Sequence, residues 1–222
     1  MIIINDSPED TSYTKIEKDC LATSSIIYRK NATNRGVNYS RNVALSLVKK
    51  DAWVIFLDDD DYLAKDTLAT FASLIQNNRE QKWFMTNRYT KSSNTETSAP
   101  KDNTYYSYAF NYLLAKRIKG DATHCIQQNL IGTKRFSRRI KQGEEWIFFY
   151  EIGTISSIYY SNHTSTYSDG YDATLGLNFR KRSRKERACD LLALIREGFG
   201  RLIFYRPTYI LYILARTVLL IK

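Results

Sequence analysis

Residues Trp53–Leu63 read WVIFLDDDDYL, and how this stretch folds decides how the rest is read. Five apolar residues, Trp53 to Leu57, run directly into four consecutive carboxylates, Asp58 to Asp61. A short apolar run bounded by polar residues predicts a buried strand of a parallel sheet. Open α/β sheets bind ligands beyond the carboxyl ends of such strands. Four acids at that place repel one another unless something positive sits among them. A hard divalent cation fits, because it takes oxygen ligands and often carries substrate phosphates with it. Side chains alternate along a strand, so Asp58 and Asp60 are expected on one side and Asp59 on the other.

Outward from this stretch the pattern is α/β. Ile2–Ile4 predicts a short strand stopped by Asn5-Asp6-Ser7-Pro8. Helices are expected over 11–21, over 40–49, from Asp66 as cap to about Gln76, over 104–118 and over 144–152. Further strands are expected over 25–28, 82–90, 125–131 and 155–160. Polar loops are expected over 31–38, 91–103 and 161–170. The body, 1–179, reads as one α/β domain.

From Arg180 the composition changes. Residues 180–222 hold 11 Lys/Arg against 3 Asp/Glu, so the net +10 of the 222-residue chain leaves only +2 for 1–179. A nearly neutral body argues against a nucleic-acid groove. The tail carries the basic run RKRSRKER, the apolar segment ACDLLALIRE, the breakers Gly198 and Gly200, and 14 mostly apolar residues after Pro207. That is short of the roughly 20 residues a spanning helix needs. Basic residues beside apolar-aromatic helices predict association with an anionic membrane surface; packing on the domain, or a homo-oligomer through these helices, is the competing expectation. Cys20, Cys125 and Cys189 form no CxxC pair, so neither zinc nor a disulfide framework is indicated. The opening residues MIIINDSPED show no basic leader, and the expected location is cytoplasmic.

Four pieces then come in a telling order: IIINDSPED, NRGVNYSRN at Asn34–Asn42, FLDDDD at Phe56–Asp61, and Glu144–Glu145. Over about residues 1–165 the chain resembles the family 2 glycosyltransferases of GT-A fold. The resemblance implies a Rossmann-like, mostly parallel sheet flanked by helices, with the basic, apolar helical tail outside it. It also implies a metal-dependent, inverting transfer from a nucleotide-sugar, a UDP-sugar, to a glycan or lipid-linked acceptor, at the inner face of a bacterial cell membrane with Mn2+ or Mg2+. By the same resemblance Asp6 matches the acid that receives the nucleotide base, Arg41 lies near the nucleotide, Asp58 faces the ribose with Asp59 beside it, and Asp60 ligates the metal. Glu145 matches the general base, where the family usually has Asp, and His163 is a second candidate metal ligand. Glu144 and Trp146 are candidates to line the acceptor side. His124 is left as structural.

Two departures matter. Family members normally begin with another strand and helix, so this chain starts at what resembles the second strand. Losing a central strand leaves backbone unpaired within the sheet, and weak donor binding is the expectation. No Q-x-x-R-W motif is present, which favours one sugar per encounter over processive synthesis. The rivals are a non-catalytic, membrane-bound relative and a phosphatase of haloacid-dehalogenase type. The latter also places D-x-D after a strand but has Thr or Val where this chain has Tyr62.

Overall fold

The computed structural model describes residues 1–139, 145–169 and 183–221. The expected Glu144, Gly170 and the first three residues of the basic run lie outside them. In chain order the elements are β1 (Ile2–Asn5), a 3-10 turn (Thr11–Tyr13), α1 (Thr14–Ala22), β2 (Ile27–Lys30), α2 (Val37–Leu47), β3 (Trp53–Ile55), β4 (Asp61–Leu63) and α3 (Thr67–Asn77). Then come β5 (Trp83–Thr90), β6 (Thr95–Glu96), β7 (Thr104–Tyr106), a π-helix (Tyr108–Leu114), β8 (Ala122–Gln127), α4 (Gln128–Ile131), α5 (Trp146–Gly153), β9 (Ile158–Ser168), α6 (Arg184–Gly200) and α7 (Pro207–Ile221).

The main sheet has the order β3-β8-β5-β9-β4, with β6 on β5 and β7 on β9. Side chains of β5 and β8 alternate between two cores. Trp83, Met85 and Ile126 enter a large cluster with Ile147, Phe148, Tyr150, Ile158 and Tyr160. Phe84 and Cys125 face the other way, onto Phe71 of α3. The sheet is therefore a middle layer, with α3 on one face and α5 on the other, as a buried α/β sheet requires.

The sheet is more mixed than the mostly parallel expectation. Only β1–β2 and β5–β9 pair parallel. The remaining ladders are antiparallel; β8 enters between β3 and β5 against their common direction, and β6, β7 and β4 run against the strands they join. Nor is β3 central: its one ladder is with β8. β1 and β2 form a separate two-stranded sheet. Ile27 N donates to Met1 O and Asn31 N to Asn5 O, so by alternation the backbone groups of Ile2 and Ile4 point away from β2. Likewise Gln128 N bonds Ala52 O, which turns the backbone of Trp53 and Ile55 away from β8. Helix α2 spans this seam: it packs on β1, and its Leu45 joins Val54 of β3 in the main core. Among the described residues, two unpaired strand edges thus lie under one helix.

Several element boundaries differ from the sequence reading: the strand expected over 125–131 is β8 over Ala122–Gln127 and then helix α4 over Gln128–Ile131, and three further differences have local reasons. The segment 104–106, expected as helix, pairs with β9, and helical structure begins only after Ser107, whose side chain accepts from Phe110 N. The expected loop from Ser161 is strand as far as Ser168, since its Ser, Thr and Tyr residues fit between β5 and β4. Gly198 and Gly200 do not break the tail helix. A Cβ on Gly198 would sit 2.5 Å from the Tyr209 ring, so the glycine lets α7 approach α6. Leu194, Ile203, Tyr209 and Ile213 of this hairpin are buried in the same cluster as Trp146 and Tyr150.

Candidate active site

Asp58–Asp61 is not the end of a strand but a turn, closed by Asp61 N donating to Asp58 O at 3.1 Å. The turn, rather than strand alternation, brings Asp58, Asp60 and Asp61 together: each can offer one oxygen with all three within 4.8 Å. Asp59 is exposed and stands outside that trio. Two of the three acids already have cationic partners. Asp58 Oδ1 receives Arg41 Nη2 at 2.6 Å, and Asp61 Oδ1 receives Arg88 Nη2 at 2.9 Å. Asp61 starts β4, with its side chain only 4% exposed. Burial pushes its carboxyl above the usual carboxylate range, and the Arg88 guanidinium pulls the other way. Three carboxylate oxygens on a partly exposed turn are a donor set suited to a hard divalent cation.

Arg41 lies within α2, which starts at Val37, earlier than the predicted start at Ser40. Its other nitrogen, Nη1, reaches Glu145 Oε1 at 3.1 Å. Glu145 is the residue before α5. One guanidinium therefore joins acids 17 and 104 residues away in sequence. Phe136 lies beneath it, the Arg41 Cζ being 5.4 Å from the ring centroid. The expected neighbour Trp146 is buried against Tyr209 and Tyr212.

Asp6 follows β1. Its Oδ1 accepts from Asn31 Nδ2 at 2.7 Å and Arg35 N at 3.0 Å, and its Oδ2 from Gly36 N at 2.6 Å. Gly36 sits at φ +84, a conformation that favours glycine, and opens α2. Asn31 also bonds Ser40 Oγ at 3.0 Å, one residue from Arg41. Asp6 therefore shapes the loop that launches the helix carrying Arg41. A carboxylate has about four acceptor positions, which leaves Oδ2 able to take one more donor.

His163 is apart from this group. It lies on β9 facing α3, with Nε2 3.3 Å from Asp66 Oδ1 and 3.4 Å from Thr70 Oγ1. It is not among the residues that converge with Asp60. Asp66 stands at the start of α3 as expected but makes no capping bond with its side chain. His124 is buried, accepts from Trp83 Nε1 at 3.1 Å and lies against Phe149; burial lowers its pKa to about 3, so it is a neutral core histidine.

Sequence reasoning missed the basic loop 134–139 as part of the site. Asn38 Nδ2 donates to Ser137 O, Asn42 Nδ2 to Phe136 O, and Phe136 N to Asn42 Oδ1. These two asparagines, one helical turn apart, fasten the loop to α2. Arg35 and Arg138 then lie over the same Tyr39 ring, at 4.5 and 5.3 Å from its centroid. The signal was present in the asparagines at i and i+4 within NRGVNYSRN, but their partners are 94 and 99 residues away.

An acidic turn, an arginine and a second carboxylate thus converge at one edge of a layered α/β sheet. The family model described as Glycosyl transferase family 2 matches residues 1–140, more than half of the chain, and the chain belongs to that family. The phosphatase reading falls with this. Among solved structures the chain is similar to S. aureus TarS 1–349, with a TM-score of 0.63, 17% identity, and coverage of 89% of this chain and 55% of that one. A structure of S. aureus TarS 1–349 in complex with UDP matches with a TM-score of 0.59 and 17% identity over 87% of this chain and 55% of that one. The chain thus spans about half the length of these relatives. No curated protein matches.

Proposed function

We propose that this chain transfers a sugar from a UDP-sugar to a hydroxyl of a glycan or lipid-linked acceptor, with inversion at the anomeric carbon. The observation that carries the reading is Arg41 bridging Asp58 and Glu145, since it ties the acid turn to the one candidate base. Asp60, with Asp58 and Asp61, would hold Mn2+ or Mg2+. A divalent cation held there would neutralise charge on the departing diphosphate. Asp6 receives a donor N–H of the nucleotide base, and Asp58 and Asp59 lie on the ribose side. Arg35 and Arg138 give the rim positive charge for the diphosphate. Glu145 takes the acceptor's hydroxyl proton as that oxygen attacks the anomeric carbon and the bond to the diphosphate breaks on the opposite face. The rest is positioning and electrostatics. The bacterial cytoplasm, where nucleotide-sugars are held, is the proposed location.

Hydrolysis of UDP-sugars in the absence of acceptor tests this. Wild type should release UDP in a cation-dependent way, and Asp60→Ala and Glu145→Gln should each lower the rate by about 10²-fold or more. Rates equal in all three proteins would refute it. The edges of β1 and β3, unpaired among the described residues, favour a second reading, a relative that binds weakly and acts as a non-catalytic partner. UDP binding without hydrolysis, unchanged by Glu145→Gln, would establish that reading instead.

A further inference from the structure

The α6–α7 hairpin buries one side and leaves the other bare. Its turn carries the largest exposures. Leu202 is 79% exposed, Tyr205 73% and Phe199 44%. Phe199 stacks on Phe204 with centroids 4.0 Å apart and meets the edge of Tyr205 at 5.9 Å, so the tip is one aromatic cluster. Along α7, Ile210, Leu211, Leu214 and Val218 are also exposed. Their spacing places them on one stripe, opposite the buried Tyr209 and Ile213.

Leu202 is the informative residue. It follows Arg201, the C-cap of α6, and has φ +58. Ile203 N and Phe204 N both return to Gly198 O, which is how a helix ends through a left-handed residue. Glycine or asparagine is favoured there; a branched leucine is strained. Leu202 therefore combines an unfavourable backbone conformation with an apolar side chain held in water. Neither helps this fold, and both make sense if something outside the molecule receives the side chain.

The charge around the hairpin says what that is. Lys185, Arg187, Arg196 and Arg206 are exposed and enter no ion pair among the described residues. The hairpin's three acids are not exposed. Glu186 closes the capping box with Ser183, Glu197 is paired with Arg201, and Asp190 is half-buried. An apolar tip flanked by Arg196 and Arg206, with Lys185 and Arg187 at the far end of α6, is complementary to an anionic lipid surface, where the leucine and aromatics enter the headgroup boundary and the two arginines meet lipid phosphates. No helix among the described residues is long and apolar enough to cross a membrane, so the contact is peripheral.

We infer that the hairpin tip, Phe199, Leu202 and Tyr205 with Arg196 and Arg206, docks this protein on anionic lipid. The inference does not rest on the donor reading. Vesicle sedimentation with phosphatidylcholine alone, and with phosphatidylcholine plus phosphatidylglycerol, tests it. Wild type should bind the anionic vesicles, lose binding at high salt, and bind neutral vesicles at least about tenfold more weakly. Leu202→Asn keeps a residue suited to φ +58, so the fold is preserved while the anchor is lost. Combined with Tyr205→Ser, it should abolish sedimentation with an unchanged circular dichroism spectrum. Arg196→Glu with Arg206→Glu should weaken binding at least about tenfold. Equal binding to both vesicle types, or none to either, would overturn the inference. So would a dimer in light scattering that the Leu202 and Tyr205 changes dissociate, since the face would then belong to a second copy of this chain.

Discussion

Replacing Arg41 by glutamine should move three quantities, and one of them in an unexpected direction. The side chain holds Asp58 at 2.6 Å and Glu145 at 3.1 Å, and the acids are 41% and 36% exposed. Pairs so open to solvent contribute about 0.2–1 kcal/mol each, so stability should fall by only about 1 kcal/mol. For a chain of this size that lowers Tm by roughly 2–4 °C. Turnover should fall much further, by about 10²-fold, because Glu145 loses the group that aims it. Cation affinity should rise. Arg41 lies within about 7 Å of where the three carboxylate oxygens converge. A unit charge at that range opposes a divalent ion by about 1 kcal/mol even at the dielectric constant of water, so Mn2+ should bind roughly fivefold more tightly to the variant. Differential scanning fluorimetry with and without Mn2+, a Mn2+ titration and UDP-sugar hydrolysis read all three. Weaker Mn2+ binding in Arg41→Gln, or turnover equal to wild type, would refute the bridge between acid turn and base.

Other outcomes follow from single contacts. Asn42→Ala removes both bonds that fasten Phe136 to α2 and should cost about 1–3 kcal/mol, read by urea unfolding, with UDP affinity falling as Arg138 is released. Gly198→Ala puts a methyl 2.5 Å from the Tyr209 ring and should destabilise by about 1–3 kcal/mol, with the loss visible as a lower urea midpoint. His124 is held neutral, its pKa lowered from 6.5 to about 3. The unfolded chain binds that proton and the folded one does not, so stability is full above pH 6.5 and declines as pH falls toward about 3. His124→Gln should flatten that part of the stability curve, and an unchanged slope would show that other groups carry it.

What the sequence made legible was local chemistry. The acids Asp58 to Asp61 could be picked out because they end an apolar run, while Asp6, Arg41 and Glu145 came from the resemblance of the ordered motifs to a known family. The structure connects Asp58, Arg41 and Glu145 directly, and links Asp6 to the same helix through Asn31. Sheet order was not legible. Periodicity shows that β3 is buried on its faces but says nothing of its neighbours, so the antiparallel β8 beside it could not be seen. His163 went to Asp66 and Thr70 because β9 continues past Tyr160, and a run of Ser, Thr and Tyr reads equally as loop or as polar strand. The sequence reading expected strand alternation to pair Asp58 with Asp60, whereas a turn gathers Asp58, Asp60 and Asp61 and leaves Asp59 outside.

Isothermal titration of the 222-residue protein with UDP, with and without Mn2+ and in parallel with Asp60→Ala, addresses the acid turn itself. The account predicts saturable binding on the order of 0.1–1 mM, about −4 to −5.5 kcal/mol, that requires the cation and disappears in Asp60→Ala. Binding that is indifferent to Mn2+ and to the loss of the Asp60 carboxylate would contradict it.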